Sequence, residues 1–235
     1  MIKRSGGDIV TYSELPESMK NAATKEYWEI LQNRTLHLVM KRCFDVFVSL
    51  ILLICFSPFF LILAVAIKVD SKGPVFYRQV RVGRYNQDFK IFKFRSMVSN
   101  ADKIGLAITT DNDPRITRMG KLIRKCRLDE ISQLFNVLNG TMSLVGPRPE
   151  VRKYVDAYQP EYMATLLIRP GVTAEASIRF RNEDEMLAQG NDPEKIYVED
   201  ILPIKMNLGL EYMKKISVFH DIKIMFQTVF AVLKK

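Results

Sequence analysis

Ser57 and Pro58 interrupt an apolar run that extends from Phe44 to Ile67, 24 residues in which Asp45 and Ser49 are the only other polar positions. As a straight helix rising ~1.5 Å per residue the run covers about 36 Å, enough to cross a hydrocarbon core of ~30 Å. A proline at its middle removes a helical hydrogen bond and crowds the preceding turn, while the serine hydroxyl can take up a freed carbonyl, so a bend is expected there. Lys41 and Arg42 precede the run, and Lys68, Lys72, Arg78, Arg81 and Arg84 follow it. Positive charge marks the cytoplasmic side of a membrane segment, and here it marks both ends. A re-entrant helix–break–helix that dips into one leaflet and returns satisfies both observations. The alternative is a single-pass helix with a tolerated proline. The run begins too late in the chain for a secretory signal.

With 235 residues the chain has room for one medium domain with appendages. Its net charge of +9 favours anionic partners, whether nucleic acid, lipid headgroups or phosphorylated substrates. Cys43, Cys55 and Cys126 show no ligand spacing, which predicts reduced thiols, no zinc site and a cytosolic face. His37 and His220 are the only histidines and pair with no nucleophile, which argues against a Ser/His/Asp or Cys/His hydrolase; Walker A and GxGxxG motifs are absent. The stretch up to about Gln32 is polar and broken by Gly6-Gly7 and Pro16, and reads as a loosely held arm with a short helix around Ala22 to Leu31.

After the run, alternation at Val75, Tyr77, Val80 and Val82 and again through Phe89 to Phe94 predicts two strands joined at "GRYNQ". Lys90, Lys93 and Arg95 lie among the aromatics of the second, as a solvated basic face or a contact with lipid phosphates. From Leu122 to Leu138 apolar residues recur at helical spacing, ending at Asn139-Gly140, which predicts one amphipathic helix. Asp129 and Glu130 are adjacent on it among Lys121, Arg124, Lys125 and Arg127; on spacing alone they read as a surface ion-pair set. In "LVGPRPE", Pro147 and Pro149 bracket Arg148 and bias it toward extended backbone, either as a stiff phosphate-binding loop or as a structural turn. "LLIRPGVTAEASIRFRNEDEML" gives a Pro-Gly turn, a short apolar–polar alternation and an acidic helix start. Ile216 to Leu233 is a core helix or an amphipathic one lying in a membrane interface.

Taken in order, "KRCFDVFVSLILLICFSPFF", "GPVFYRQVRVGR", "FKIFKFRSM", "DPRITRMGKLIRKCRLDEISQLFNVLNGTMSLVGPRP" and "IRPGVT" resemble the bacterial sugar transferase family, the monotopic phosphoglycosyl transferases, over about Lys41 to Ile178. The resemblance implies an α+β, mostly helical protein anchored by a re-entrant helix bent at Ser57-Pro58, with a small β element and a catalytic domain at the cytoplasmic face of the bacterial inner membrane. The corresponding division is an N-terminal arm over 1–40, the membrane helix over 41–69, and a catalytic domain over 70–235 ending in an amphipathic helix. It further implies transfer of a sugar phosphate from a UDP-sugar to undecaprenyl phosphate with release of UMP. Asp129 would attack the β-phosphorus to give a covalent phosphosugar–aspartate. Mg²⁺, held by Asp129 and Glu130, and arginines would neutralise the phosphates, with Glu130 helping to hold the metal or managing protons. Pro147, Arg148 and Pro149 match the family's nucleotide- or phosphate-binding loop; Arg124 is a second phosphate candidate. Lys93 and Arg95 match a strand that either meets the polyprenol phosphate or serves the fold.

Two departures stand out. "LDEISQ" has Ser132 where the family usually has proline, and Ala174 follows "PGVT" where glycine is common. The first should not touch the chemistry, and the second falls in a region expected to tune which sugar binds. The partners expected are therefore a UDP-sugar, undecaprenyl phosphate and the inner leaflet, with no nucleic acid and a homodimer left open. A non-catalytic basic module tethered to a membrane is the alternative from another class, and a single-pass protein with a cytosolic regulatory domain is a second.

Overall fold

The computed structural model describes residues 9–101, 113–188 and 192–234; Gly6 and Gly7 lie outside them. Helix α1 (Ala22–Gln32) starts at Asn21, whose side chain accepts from the Thr24 amide, and leads through a short turn into α2 (Thr35–Asp70), 36 residues long. A hairpin follows, β1 (Phe76–Val82) antiparallel to β2 (Asp88–Phe94), with Phe76 opposite Phe94. Then come α3 (Arg118–Lys125), a 3₁₀ segment Leu128–Gln133, and α4 (Leu134–Leu138). Strand β3 (Ser143–Val145) pairs in parallel with β4 (Gly171–Thr173). Two longer helices close the chain, α5 (Leu202–Lys214) and α6 (Val218–Leu233).

The mostly helical architecture with small sheets matches expectation, and three local readings are corrected. The predicted single helix from Leu122 to Leu138 breaks at Arg127, which adopts the left-handed conformation with φ 52°. Lys125 and Asp129 are therefore not one helical turn apart. The alternation after Thr173 becomes a helical turn, Glu175–Arg179. From Ile9 to Leu31 the chain is not loosely held: Ile9, Val10, Leu15, Met19, Tyr27 and Leu31 are buried in the main core. The Trp28 indole donates to the Val10 carbonyl, and the Val10 amide donates to the Tyr85 hydroxyl.

Pro58 lies inside a continuous α2, so the chain bears no break in helical structure there, and the Ser57 hydroxyl donates to the Ile54 carbonyl at 2.8 Å. Both arms of this helix pack on the same globular body. Near its start, Asp45 accepts from the Ser143 hydroxyl at 2.7 Å and the Leu144 amide at 3.2 Å. Near its end, Phe60 packs edge-on to Phe94 with ring centroids 5.3 Å apart, and Asp70 accepts from the Met119 amide at 2.9 Å. Between these contacts, Ile54 to Pro58 are exposed on every side of the helix. Leu61, Ile62 and Val65 carry the exposed apolar face onward, and Phe226, Phe230 and Leu233 form a second on α6.

Candidate active site

The left-handed turn at Arg127 is what presents the Asp-Glu pair. It ends α3 and starts the 3₁₀ segment, so Asp129 and Glu130 sit on a tight turn rather than on a helix face. That turn is stitched to β2 from below. The buried Ser132 hydroxyl lies 3.1 Å from the Phe92 and Asp129 carbonyls, and Asn136 accepts from the Phe92 amide at 2.7 Å while donating to the Lys90 carbonyl at 3.0 Å. Ser132, standing where proline is usual, thus contributes an anchor of its own to the dyad turn.

The Pro147-Arg148-Pro149 loop leaves β3 directly. Gly146 and Gly171 allow the approach: a Cβ on Gly171 would lie 2.2 Å from the Gly146 nitrogen. On the far side the Arg81 guanidinium donates to the Pro149 carbonyl at 3.2 Å and the Val82 amide to the Glu150 carbonyl at 2.9 Å. Held from both sides, Arg148 donates to Glu130 Oε1 at 2.7 Å and reaches Oε2 at 3.5 Å. Lys93 lies 3.8 Å from the same carboxylate. The structure therefore brings Asp129, Glu130, Arg148 and Lys93 together, and the Arg124 charge acts favourably on Asp129.

Electrostatics separates the two carboxyls. Burial disfavours both charges. For Glu130, Arg148 and then Lys93 more than offset this and hold the pKa at about 2. For Asp129, burial and the Glu130 charge together raise the pKa, against weaker opposition from Lys93 and Arg124. Lys93 in turn is lowered, first by burial. One carboxylate is locked in an ion pair, and its neighbour is less well compensated, so the environment pushes the two pKa values apart.

Arg95 stands apart from this cluster. It is buried and donates to the carbonyls of Ile67 at 3.2 Å, Ser71 at 2.7 Å and Lys72 at 3.0 Å, tying off the end of α2. Those bonds are the fold role that its strand position left open. Ser57 and Pro58, on the exposed middle of α2, are likewise separate from the dyad. Sequence reasoning missed Arg81 and Glu150, which brace the loop, and Lys205, which lies 2.6 Å from Glu183 and 4.0 Å from Glu150. Glu150 directly follows the second proline, a placement that could have flagged it.

Among the described residues no three His, Cys, Asp or Glu side chains gather as a metal cage. Mg²⁺ commonly binds through one or two carboxylates, with waters and substrate phosphates completing its shell, so an adjacent Asp-Glu pair fits an ion shared with a substrate.

The described residues thus form a mostly helical body with one long, largely exposed apolar helix and two adjacent carboxyls set among lysine and arginine side chains. The bacterial sugar transferase family model matches residues 36–235, and the chain belongs to that family. It is 41% identical over 83% of its length to a UDP-N-acetylgalactosamine-undecaprenyl-phosphate N-acetylgalactosaminephosphotransferase of Aeromonas hydrophila, covering 44% of that protein. It is also 41% identical over 83% of its length to a UDP-glucose:undecaprenyl-phosphate glucose-1-phosphate transferase of Klebsiella pneumoniae, covering 40% of it. An exopolysaccharide production protein of Rhizobium leguminosarum bv. phaseoli, named PSS, is 39% identical over 82% of this chain, and there the match covers 94% of the relative. The chain thus spans under half the length of the first two relatives.

Proposed function

We propose that this chain transfers a sugar 1-phosphate from a UDP-sugar to undecaprenyl phosphate at the cytoplasmic face of the bacterial inner membrane. The observation that carries the reading is the Asp129-Glu130 turn facing Arg148, on a family member whose relatives bear the names of that reaction. An Asp129 carboxylate oxygen attacks the β-phosphorus of the donor. The bond from that phosphorus to the oxygen shared with the α-phosphate breaks, UMP leaves, and the sugar phosphate remains on Asp129. An oxygen of the polyprenyl phosphate then attacks the same phosphorus and displaces the aspartate, giving undecaprenyl-diphospho-sugar. Splitting the transfer avoids bringing two large anions together in one step.

Arg148, Lys93 and Arg124 supply positive charge where the diphosphate would sit, and Arg81 and Glu150 hold the Arg148 loop in place. Mg²⁺, bound by Asp129 and Glu130 together with the diphosphate, would add further charge neutralisation. Glu130 keeps Arg148 oriented toward the dyad. The anchoring of both arms of α2 to one body, with its Ser57-Pro58 middle projecting, supports a re-entrant helix with both ends at the inner leaflet. The apolar face of α6 fits the plane of the same leaflet.

UMP release by the detergent-purified protein with Mg²⁺ and undecaprenyl phosphate, across a panel of UDP-hexoses and UDP-N-acetylated sugars, tests this reading. Release with a donor, abolished by Asp129→Asn, is the expected result and identifies the sugar. Release from no donor by folded, lipid-bound protein would instead favour a binding module.

A further inference from the structure

Helix α5 lies along the loop that carries Arg148. Lys205, Gly209 and Tyr212 are spaced as i, i+4 and i+7, so they share one side of the helix. They meet the chain leaving β3 in reverse order. The Tyr212 hydroxyl donates to the Val145 carbonyl at 3.3 Å, and Gly209 faces Pro147, where an added Cβ would stand in ordinary contact at 3.5 Å. Lys205 Nζ then lies 4.0 Å from Glu150. It carries the only charge of the three, and it is 4% exposed.

A buried ammonium is costly unless acids and hydrogen-bond acceptors surround it. Lys205 lies 2.6 Å from Glu183, whose side chain is partly exposed, and donates to the Tyr197 hydroxyl at 3.3 Å. Glu150 is as buried as Lys205 and has Arg81 at 3.7 Å. Neither cation touches Glu150 closely, so its charge is balanced by the two together. That balance reaches the side chain two positions back. The Arg148 guanidinium feels Glu130 most strongly, then Glu150 and Glu183, and its 2.7 Å bond goes to Glu130. With Lys205 in place, Glu150 and Glu183 are already neutralised and that choice is favoured; without it, both acids compete for the guanidinium.

We propose that Lys205 is a positioning residue: by neutralising Glu150 and Glu183 it fixes the Arg148 loop and keeps the Arg148 guanidinium turned to Glu130 and the dyad. Its effect on turnover rests on the proposed transferase activity; its effect on the loop does not. Hydrogen exchange of the full chain in detergent reads the loop. In Lys205→Met the Val82 amide, bonded to the Glu150 carbonyl, should exchange about tenfold faster, the change expected on losing one charge-assisted bond, while the Phe92 amide, bonded to the Asn136 side chain, keeps its rate. UMP release gives a second readout, one that lost stability alone would not reproduce. Lys205→Met should lower kcat/KM about tenfold in the parent but by about twofold at most in Arg148→Lys, because a lysine at 148 lacks the planar fork that the loop is set to present. If Lys205→Met does not fold, Lys205→Arg takes its place in both measurements: it keeps the charge and should cost less, again mainly where Arg148 is present. Equal losses in the two backgrounds, or a Val82 rate that rises no more than that of Phe92, would overturn the proposal. A raised Val82 rate in a chain whose parent releases no UMP would support the loop contact and overturn the transferase reading instead.

Discussion

Burial and the Glu130 charge both push the Asp129 pKa up, so the ionised Asp129 side chain is less comfortable in the folded protein than in the unfolded one. The linkage has a definite sign: a carboxyl with a raised folded pKa detracts from stability at neutral pH, and the loss is relieved as pH falls through that pKa. Asp129→Asn should therefore unfold at a higher temperature than the parent at pH 7 while losing activity by about a thousandfold or more. Calorimetry beside an activity assay checks both, and a lower Tm would contradict the electrostatic account. Glu130 behaves oppositely. Its pKa of about 2 means that it adds stability above its ordinary pKa of ~4.3, and that this is lost as pH falls from there toward 2. Replacing it with Gln removes one cause of the raised Asp129 pKa. The acid limb of kcat/KM should then move to lower pH, and a limb that stays or moves up would count against Asp129 as the group that must ionise.

Among the elements, α2 was the most legible, and the structure corrects only the expected break in its backbone. Its apolar composition and Ser57-Pro58 were plain in the sequence, yet one proline does not end a helix whose neighbouring hydroxyl takes up a carbonyl, and the backbone stays helical. The hairpin was readable because aromatic and β-branched residues alternate there. The break at Arg127 was not: a left-handed non-glycine residue has no compositional signature, and apolar spacing continues across it as if one helix ran through. Nor could spacing reveal that Arg95 would turn away from the substrate side to cap α2. Three carbonyl acceptors for one buried guanidinium predict that Arg95→Ala costs about 3 kcal/mol, measured by denaturant unfolding. A change within ~0.5 kcal/mol would return Arg95 to the list of substrate contacts. For topology, single cysteines at Ser13 and Arg118, placed in a variant lacking Cys43, Cys55 and Cys126, should label from the same side of the membrane. Labelling from opposite sides would make α2 a full crossing.

At the scale of the whole molecule, the family's motifs made the Asp129 to Arg148 region legible, while the packing of residues 9–32 was hidden because a polar, broken sequence carries its few anchors too far apart to show a period. Leu31 is completely buried among those anchors. Leu31→Ala should cost about 2–5 kcal/mol, a core penalty rather than that of a loose arm. The exposed apolar residues of α2 and α6 lie on two helices joined by the Lys41–Asp221 pair, while the charged cluster of Glu130, Lys93 and Arg148 is built at β2 and the loop that leaves β3. The central claim is that Asp129 carries the sugar phosphate between the two substrates. UMP released in a single turnover, with donor and Mg²⁺ but without undecaprenyl phosphate, tests it most directly. The account predicts a burst approaching one UMP per active site, absent in Asp129→Asn; UMP that appears only after the lipid acceptor is added would contradict it.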